Sequence, residues 1–268
     1  MALYNQKIYK SPYPYIVNNF IREYDLSAAN INALLTEGII SVDKYEEFLH
    51  MPKMEREIKI GIMSRDKNIY KAIQRGIINA KKQLFHANNI QDYEVVSIKN
   101  DAVFVLGREL PYTEFGNYKF KMKNKYTIFM RLCDLEIYYS DVLDGDDISY
   151  IIDVKGINDD KLPLHGNGML DLICETCFML QRNSPDEVLR YVTQMYNLFL
   201  SRKLPVDFYR EFNSLSGYIF IGPIGAYKMD YISEDMVNMV DINRNAMVFR
   251  DLINIVSNVY RSNMPMRI

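Results

Sequence analysis

Two aspartates stand where a chain would present carboxylates for chemistry. Residues 20–35, FIREYDLSAANINALL, read as a buried strand, a tight turn and a helix, with Asp25 where the strand ends. Residues 95–106, VVSIKNDAVFVL, place Asp101 at a turn between two apolar runs. Carboxylates from neighbouring strands can hold two divalent cations about 3.5–4 Å apart, the arrangement that serves in-line phosphoryl transfer. Their hard oxygen ligands suit Mg2+ (or Mn2+). Side chains alternate along a strand, so Glu23 shares a face with Asp25 and is the candidate third carboxylate. The competing reading is structural, because aspartate is also a common residue of strand–helix junctions and hairpin turns.

Two basic sets accompany these acids. Arg56, Lys59, Arg65, Lys67 and Lys71 fall between the two aspartates and are candidate contacts for the phosphates of a nucleoside triphosphate. Arg56 and Lys59 are three apart and share a helix face. Lys119, Lys121, Lys123 and Lys125 alternate with Tyr118 and Phe120, which puts the lysines on one strand face. Such a face could follow a nucleic-acid backbone, or could protect an exposed sheet edge. His50, His86 and His165 are isolated, and Cys174 and Cys177 lie in an apolar helical pattern that suits free buried thiols. Asp144, Asp146 and Asp147 read as a solvated turn.

The elements that must position these residues form an α+β pattern. A Tyr- and Pro-rich arm over residues 1–15 precedes the strand that ends at Asp25. Ser27 is the expected cap of a helix starting at Ala28. Further helices are expected over residues 41–50, over 54–64, where the isoleucine alternation also suits a strand, and over 66–88. The last has Ile69, Ile73, Ile77, Ala80 and Leu84 as its apolar stripe, with Lys67, Lys71, Arg75, Lys81 and Lys82 as charges along it. Residues 95–98 and 102–106 form a hairpin. Three strands follow at 118–122, 126–132 and 135–139, with Asn124 turning between the first two, and another at 149–154. After a soft boundary near residue 157 the chain turns mostly helical, with helices at 169–181, 184–203 and 244–260 and a short strand at 217–222. The Ser184-Pro185-Asp186-Glu187 run is a strong helix start. The expected domains are therefore 1–157 and 158–268.

Composition narrows the class. The 268 residues are 49% hydrophobic and 25% charged with a formal net charge of -2, so no global basic field advertises nucleic acid. No apolar run reaches the roughly 18 residues of a membrane span. The N-terminal residues lack the apolar core of a signal peptide, so a cytoplasmic protein is expected.

EYDLSAANI resembles the first catalytic motif of polymerase palm domains, in which an aspartate closes a strand before the chain turns into a helix. SIKNDAVFV resembles the third motif, an aspartate on a hairpin turn. The nearest pattern is that of a minimal, phage-encoded family A DNA polymerase, over residues 16–107. The resemblance implies a palm-like antiparallel sheet with flanking helices, short helical fingers between the motifs and a thumb-like C-terminal region. It also implies Asp25 and Asp101 as metal ligands, with nucleic acid and a nucleoside triphosphate as partners. Two departures stand out. Asn100 and Ala102 flank a single aspartate where the third motif carries a further acidic residue, and the family's second-motif signature is not evident. A catalytically inactive, palm-derived nucleic-acid-binding or phage assembly protein, acting with further protein subunits, is the alternative expectation.

Overall fold

The computed structural model describes residues 2–133, 135–144, 147–155, 167–209, 218–222, 225–229 and 239–262. It contains ten strands and seven α-helices among these residues. In chain order they are β1 (Ile8–Tyr9), β2 (Tyr15–Leu26), α1 (Ala29–Thr36), α2 (Val42–His50), α3 (Lys53–Met63), α4 (Lys67–Ala87), β3 (Val95–Lys99), β4 (Ala102–Leu106), β5 (Glu114–Phe115), β6 (Tyr118–Leu132), β7 (Leu135–Asp144), β8 (Asp147–Lys155), α5 (Asn167–Arg182), α6 (Pro185–Leu200), β9 (Tyr218–Gly222), β10 (Gly225–Met229) and α7 (Met239–Ser262). The class is α+β, with antiparallel sheet and flanking helices, as expected.

The chain divides into two compact units. The first comprises Met1–Pro12 and Phe20–Lys125, the second Tyr13–Asn19 and Tyr126–Ile268. In the first unit the strands run in the order β1-β3-β4-β2-β6, with β5 on β6. The apolar core lies against one face of this sheet. Tyr24, Leu26, Val95, Ile98, Val103, Val105, Tyr118 and Phe120 of the strands pack with Ala33 and Leu34 of α1, Phe48 of α2, Ile60 of α3 and Ile73, Ile77, Ala80 and Leu84 of α4. The period of three and four in α4 and the period of two in the strands therefore meet in one core. At Gly76 of α4 an added methyl would lie 2.5 Å from Ala33 Cβ and 2.8 Å from Ala33 Cα, so glycine lets α4 come this close to α1.

The second unit orders β6-β7-β8 and packs Ile128, Met130, Leu132, Ile137 and Tyr139 with α5, α6 and α7. Ser184 caps α6 reciprocally with Glu187. β9 and β10 form a separate antiparallel pair.

Several local expectations change. The strands expected at 118–122 and 126–132 are one strand, β6, running through Asn124. Asn124 makes no turn there because its amide donates to the Glu23 carboxylate at 2.9 Å. The cap of α1 is Ala28 at φ 48°, and Ser27 instead donates its backbone N–H to the Lys119 carbonyl at 2.9 Å. The described residues of the expected arm contain a 3-10 turn, Leu3–Asn5, the short β1 and, at Tyr15, the start of β2. Asp144 and Asp147 sit in β7 and β8 and not in a loose acidic turn. Asp146 and His165 lie outside the described residues. Cys133, Cys174 and Cys177 are free thiols.

Candidate functional site

Asp25 is the penultimate residue of β2, and the chain turns immediately afterwards into α1. β2 pairs antiparallel with β4 so that Asp25 stands opposite Ala102 and Glu23 opposite Phe104. One residue further along, the Leu26 N–H donates to the Asp101 carbonyl at 3.3 Å. Asp101 itself occupies the two-residue turn between β3 and β4. Asn100, before it, adopts φ 54°, a left-handed conformation that asparagine tolerates better than most residues. The Asn100 N–H is held by the Lys7 carbonyl at 2.8 Å. The strand end and the hairpin turn are thus brought side by side.

The charge of Asp25 reaches the Asp101 carboxyl. The Asp101 carboxyl is pushed above the ordinary aspartate range, first by burial and then by the negative charges of Asp25 and, more weakly, Glu57. Its own backbone N–H and the Lys81 ammonium act the other way. Lys81, on α4, is 1% exposed and donates to the carbonyls of Gln6 at 2.6 Å and Asn100 at 3.1 Å. Burial pulls its ammonium down to about 8, against the opposing pull of Asp101. Sequence reasoning placed Lys81 among the charges along α4. The helix period instead carries it beside Ala80 and Leu84 into the core side, where main-chain carbonyls replace water.

Glu57 is the acidic residue that sequence reasoning passed over in favour of its basic neighbours on α3. It is exposed and accepts from Asn30 Nδ2 at 3.4 Å. Among the described residues no three His, Cys, Asp or Glu side chains are grouped as a metal cage. Asp25 and Asp101 do not by themselves make an all-protein cation site.

Glu23 is 2% exposed, accepts from Asn124 and lies 3.9 Å from the Lys123 ammonium. Tyr24 and Leu26 of β2, Val103 and Val105 of β4, and Tyr118 and Phe120 of β6 all enter the core under the helices. Alternation then puts Glu23, Asp25, Ala102, Phe104 and the lysines Lys119, Lys121 and Lys123 on the opposite face. The Glu23–Lys123 contact agrees with that assignment, while the Asn124–Glu23 hydrogen bond departs from it, Asn124 having the parity of Tyr118 and Phe120 on β6. All three lysines are exposed, and Lys119 pairs with Glu114. Lys125 continues the stripe, with its ammonium 3.7 Å from the centre of the Phe20 ring.

The remaining basic candidates are more scattered. Arg56 and Lys59 are half-buried on α3, and Lys59 is 2.9 Å from Glu55. Arg65, Lys67 and Lys71 are exposed at the end of α3 and the start of α4. No helix among the described residues is long and apolar enough to cross a membrane.

A family model described as Bacteriophage PBS1 gene 130 protein matches residues 1–258, and the chain belongs to that family. No curated protein matches it.

Proposed function

We propose that this member of a bacteriophage family is a nucleotidyltransferase of the polymerase-palm kind, acting on nucleic acid and a nucleoside triphosphate. The observation that carries this reading is the pairing of β2 with β4, which sets Asp25 beside Asp101 closely enough for one charge to raise the other's carboxyl. Two crowded, partly buried carboxylates are stabilised by a shared cation, and Mg2+ (or Mn2+) is the cation their oxygens suit. Such an ion would supply Lewis-acid stabilisation of a phosphoryl oxygen and of the attacking hydroxyl. Asp25 and Asp101 would hold it. Glu23, fixed by Asn124 and Lys123, adds negative charge behind them on the same face. Lys119, Lys121 and Lys123 neutralise the phosphates of a nucleic-acid strand lying along β6. Arg56, Lys59, Arg65, Lys67 and Lys71 are the side chains for the triphosphate, with the half-buried Arg56 and Lys59 first among them.

The test is primer extension by the purified chain, with DNA and RNA templates, both triphosphate sets, and Mg2+ or Mn2+. Extension that falls at least about a hundredfold in Asp25→Asn supports the reading, since a lost metal ligand removes several kcal/mol of transition-state stabilisation. Extension that is absent, or indifferent to the substitution, sinks it.

One observation favours a second reading. The turn carries a single acidic residue between Asn100 and Ala102, and the Lys81 ammonium already lies within electrostatic reach of it. A palm-derived protein that binds nucleic acid, or assembles with further phage subunits in the host cytoplasm, would need no more. Nucleic-acid binding that survives Asp25→Asn, with no extension by the unaltered chain, is the outcome that selects this alternative.

A further inference from the structure

Beside the Asp101 turn, on its α4 side, lies a cavity of about 80 Å3 lined by Asn5, Lys7, Gln74, Ile77, Ile78, Lys81 and Asn100. One water needs only roughly 10–15 Å3 of such space, so the cavity admits a small polyatomic group. Its polar lining is cationic or amide, and no lining residue is acidic. Lys81 is the buried member. An ammonium has three N–H donors, and two of those of Lys81 go to the Gln6 and Asn100 carbonyls. The third is left for the cavity that the side chain lines. Lys7, an exposed residue of the N-terminal segment, also lines it, and the lining residues Asn5, Gln74 and Asn100 carry carboxamides with N–H donors. Ile77 and Ile78 contribute apolar wall, which strengthens any charge-assisted hydrogen bond made inside.

A buried ammonium bonded only to neutral carbonyls is an incompletely compensated charge. The Asp101 carboxylate is not among the lining residues and offsets only part of it. An anion in the cavity would complete the compensation. We propose that this cavity is a binding site for a small tetrahedral oxyanion, inorganic phosphate or pyrophosphate, or the terminal phosphate of a larger molecule. Lys81, Lys7 and Gln74 are its principal contacts. None of its donors is a carboxylate, so its contacts are distinct from Asp25 and Asp101.

The experiment is isothermal titration of the full-length chain with sodium phosphate and with sodium pyrophosphate. EDTA is present throughout, and sodium chloride of matched ionic strength is the control. The expected result is saturable binding of at least one oxyanion and none of chloride. Lys7→Ala and Gln74→Leu change an exposed and a half-buried side chain, so both should fold. Each should weaken binding about tenfold, the loss of one charged or polar hydrogen bond. Lys81→Met should abolish it. Circular dichroism checks each variant, and if Lys81→Met does not fold, the other two decide. Displacement of pyrophosphate by a metal-free nucleoside triphosphate identifies a nucleotide phosphate as the occupant. Its failure to displace identifies the free anion. Binding of neither oxyanion, or equal binding by the unaltered chain, Lys7→Ala and Gln74→Leu, overturns the proposal. EDTA removes the metal, so this result is separate from any failure of nucleotidyl transfer.

Discussion

Replacing Gly76 by alanine adds one methyl to the middle of α4, where it points at α1. The added carbon would sit 2.5 Å from Ala33 Cβ, 2.8 Å from Ala33 Cα and 3.0 Å from the Tyr118 hydroxyl. Two of these atoms belong to a rigid helix and cannot swing aside, so α1 and α4 must separate. Overfilling a packed core costs about 1–3 kcal/mol, and backbone contacts put this site in the upper part of that range. Alanine returns about 0.8–1 kcal/mol of helix propensity. The expected net loss is about 1–2 kcal/mol, read as a shift of the urea midpoint at unchanged slope. Gly61 is the internal control. It lies in α3 with nothing within 4 Å of an added Cβ, so Gly61→Ala should gain about 1 kcal/mol of propensity alone. The same chemical change is thus expected to have opposite signs at two helical glycines. Pairing Gly76→Ala with Ala33→Gly should recover part of the loss, because the clashing methyl is removed. A Gly76→Ala chain as stable as Gly61→Ala would refute the close approach of α1 to α4. That approach helps to fix the segment following Asp25.

Three other substitutions probe the site and the second unit. Asp101→Asn should stabilise the chain at pH 7. The raised carboxyl means that its ionised form is disfavoured by folding, so the gain should vanish as pH falls below the ordinary aspartate range, where both states are protonated. Urea midpoints against pH measure this, and destabilisation at pH 7 would contradict it. Lys81 titrates near 8 in the folded chain, against about 10.4 for a free lysine. Between those values the unfolded chain binds the extra proton, so stability should rise with pH by up to roughly 3 kcal/mol. That rise should be missing from Lys81→Met. Ser184→Ala removes a reciprocal cap from α6 and should cost about 1 kcal/mol, seen as a lower thermal midpoint, with no effect on metal binding at Asp25.

The parts of this fold that could be read from residues are those where period and chemistry agree. The apolar stripe of α4 and the alternation of Lys119, Phe120 and Lys121 each have one periodicity and one buried face, and both are present. The β3–β4 hairpin that carries Asp101 was legible for the same reason, since sequential strands tend to pair, whereas the pairing of β2 with β4 that brings Asp25 to it joins strands separated by four helices and β3. What escaped reading depends on long-range partners. Asn124 has the composition of a turn residue, yet it lies within β6 because Glu23, a hundred positions earlier, accepts its amide. Lys81 has the composition of a surface residue, yet carbonyls from the N-terminal segment and the β3–β4 turn replace its water. Ser27 looks like a cap, but its N–H is taken by β6 and Ala28 turns the chain instead. Each miss is a polar group whose hydrogen-bond partner is remote in sequence, which local propensity does not register.

The functional reading rests on Asp25 and Asp101 acting together as cation ligands. Electron paramagnetic resonance of a Mn2+ titration measures this directly, because bound manganese loses the sharp signal of the free ion. The expected result is saturable Mn2+ binding by the unaltered chain, displaced by Mg2+ and lost in both Asp25→Asn and Asp101→Asn. Undiminished binding in either variant, or none in the unaltered chain, would contradict it.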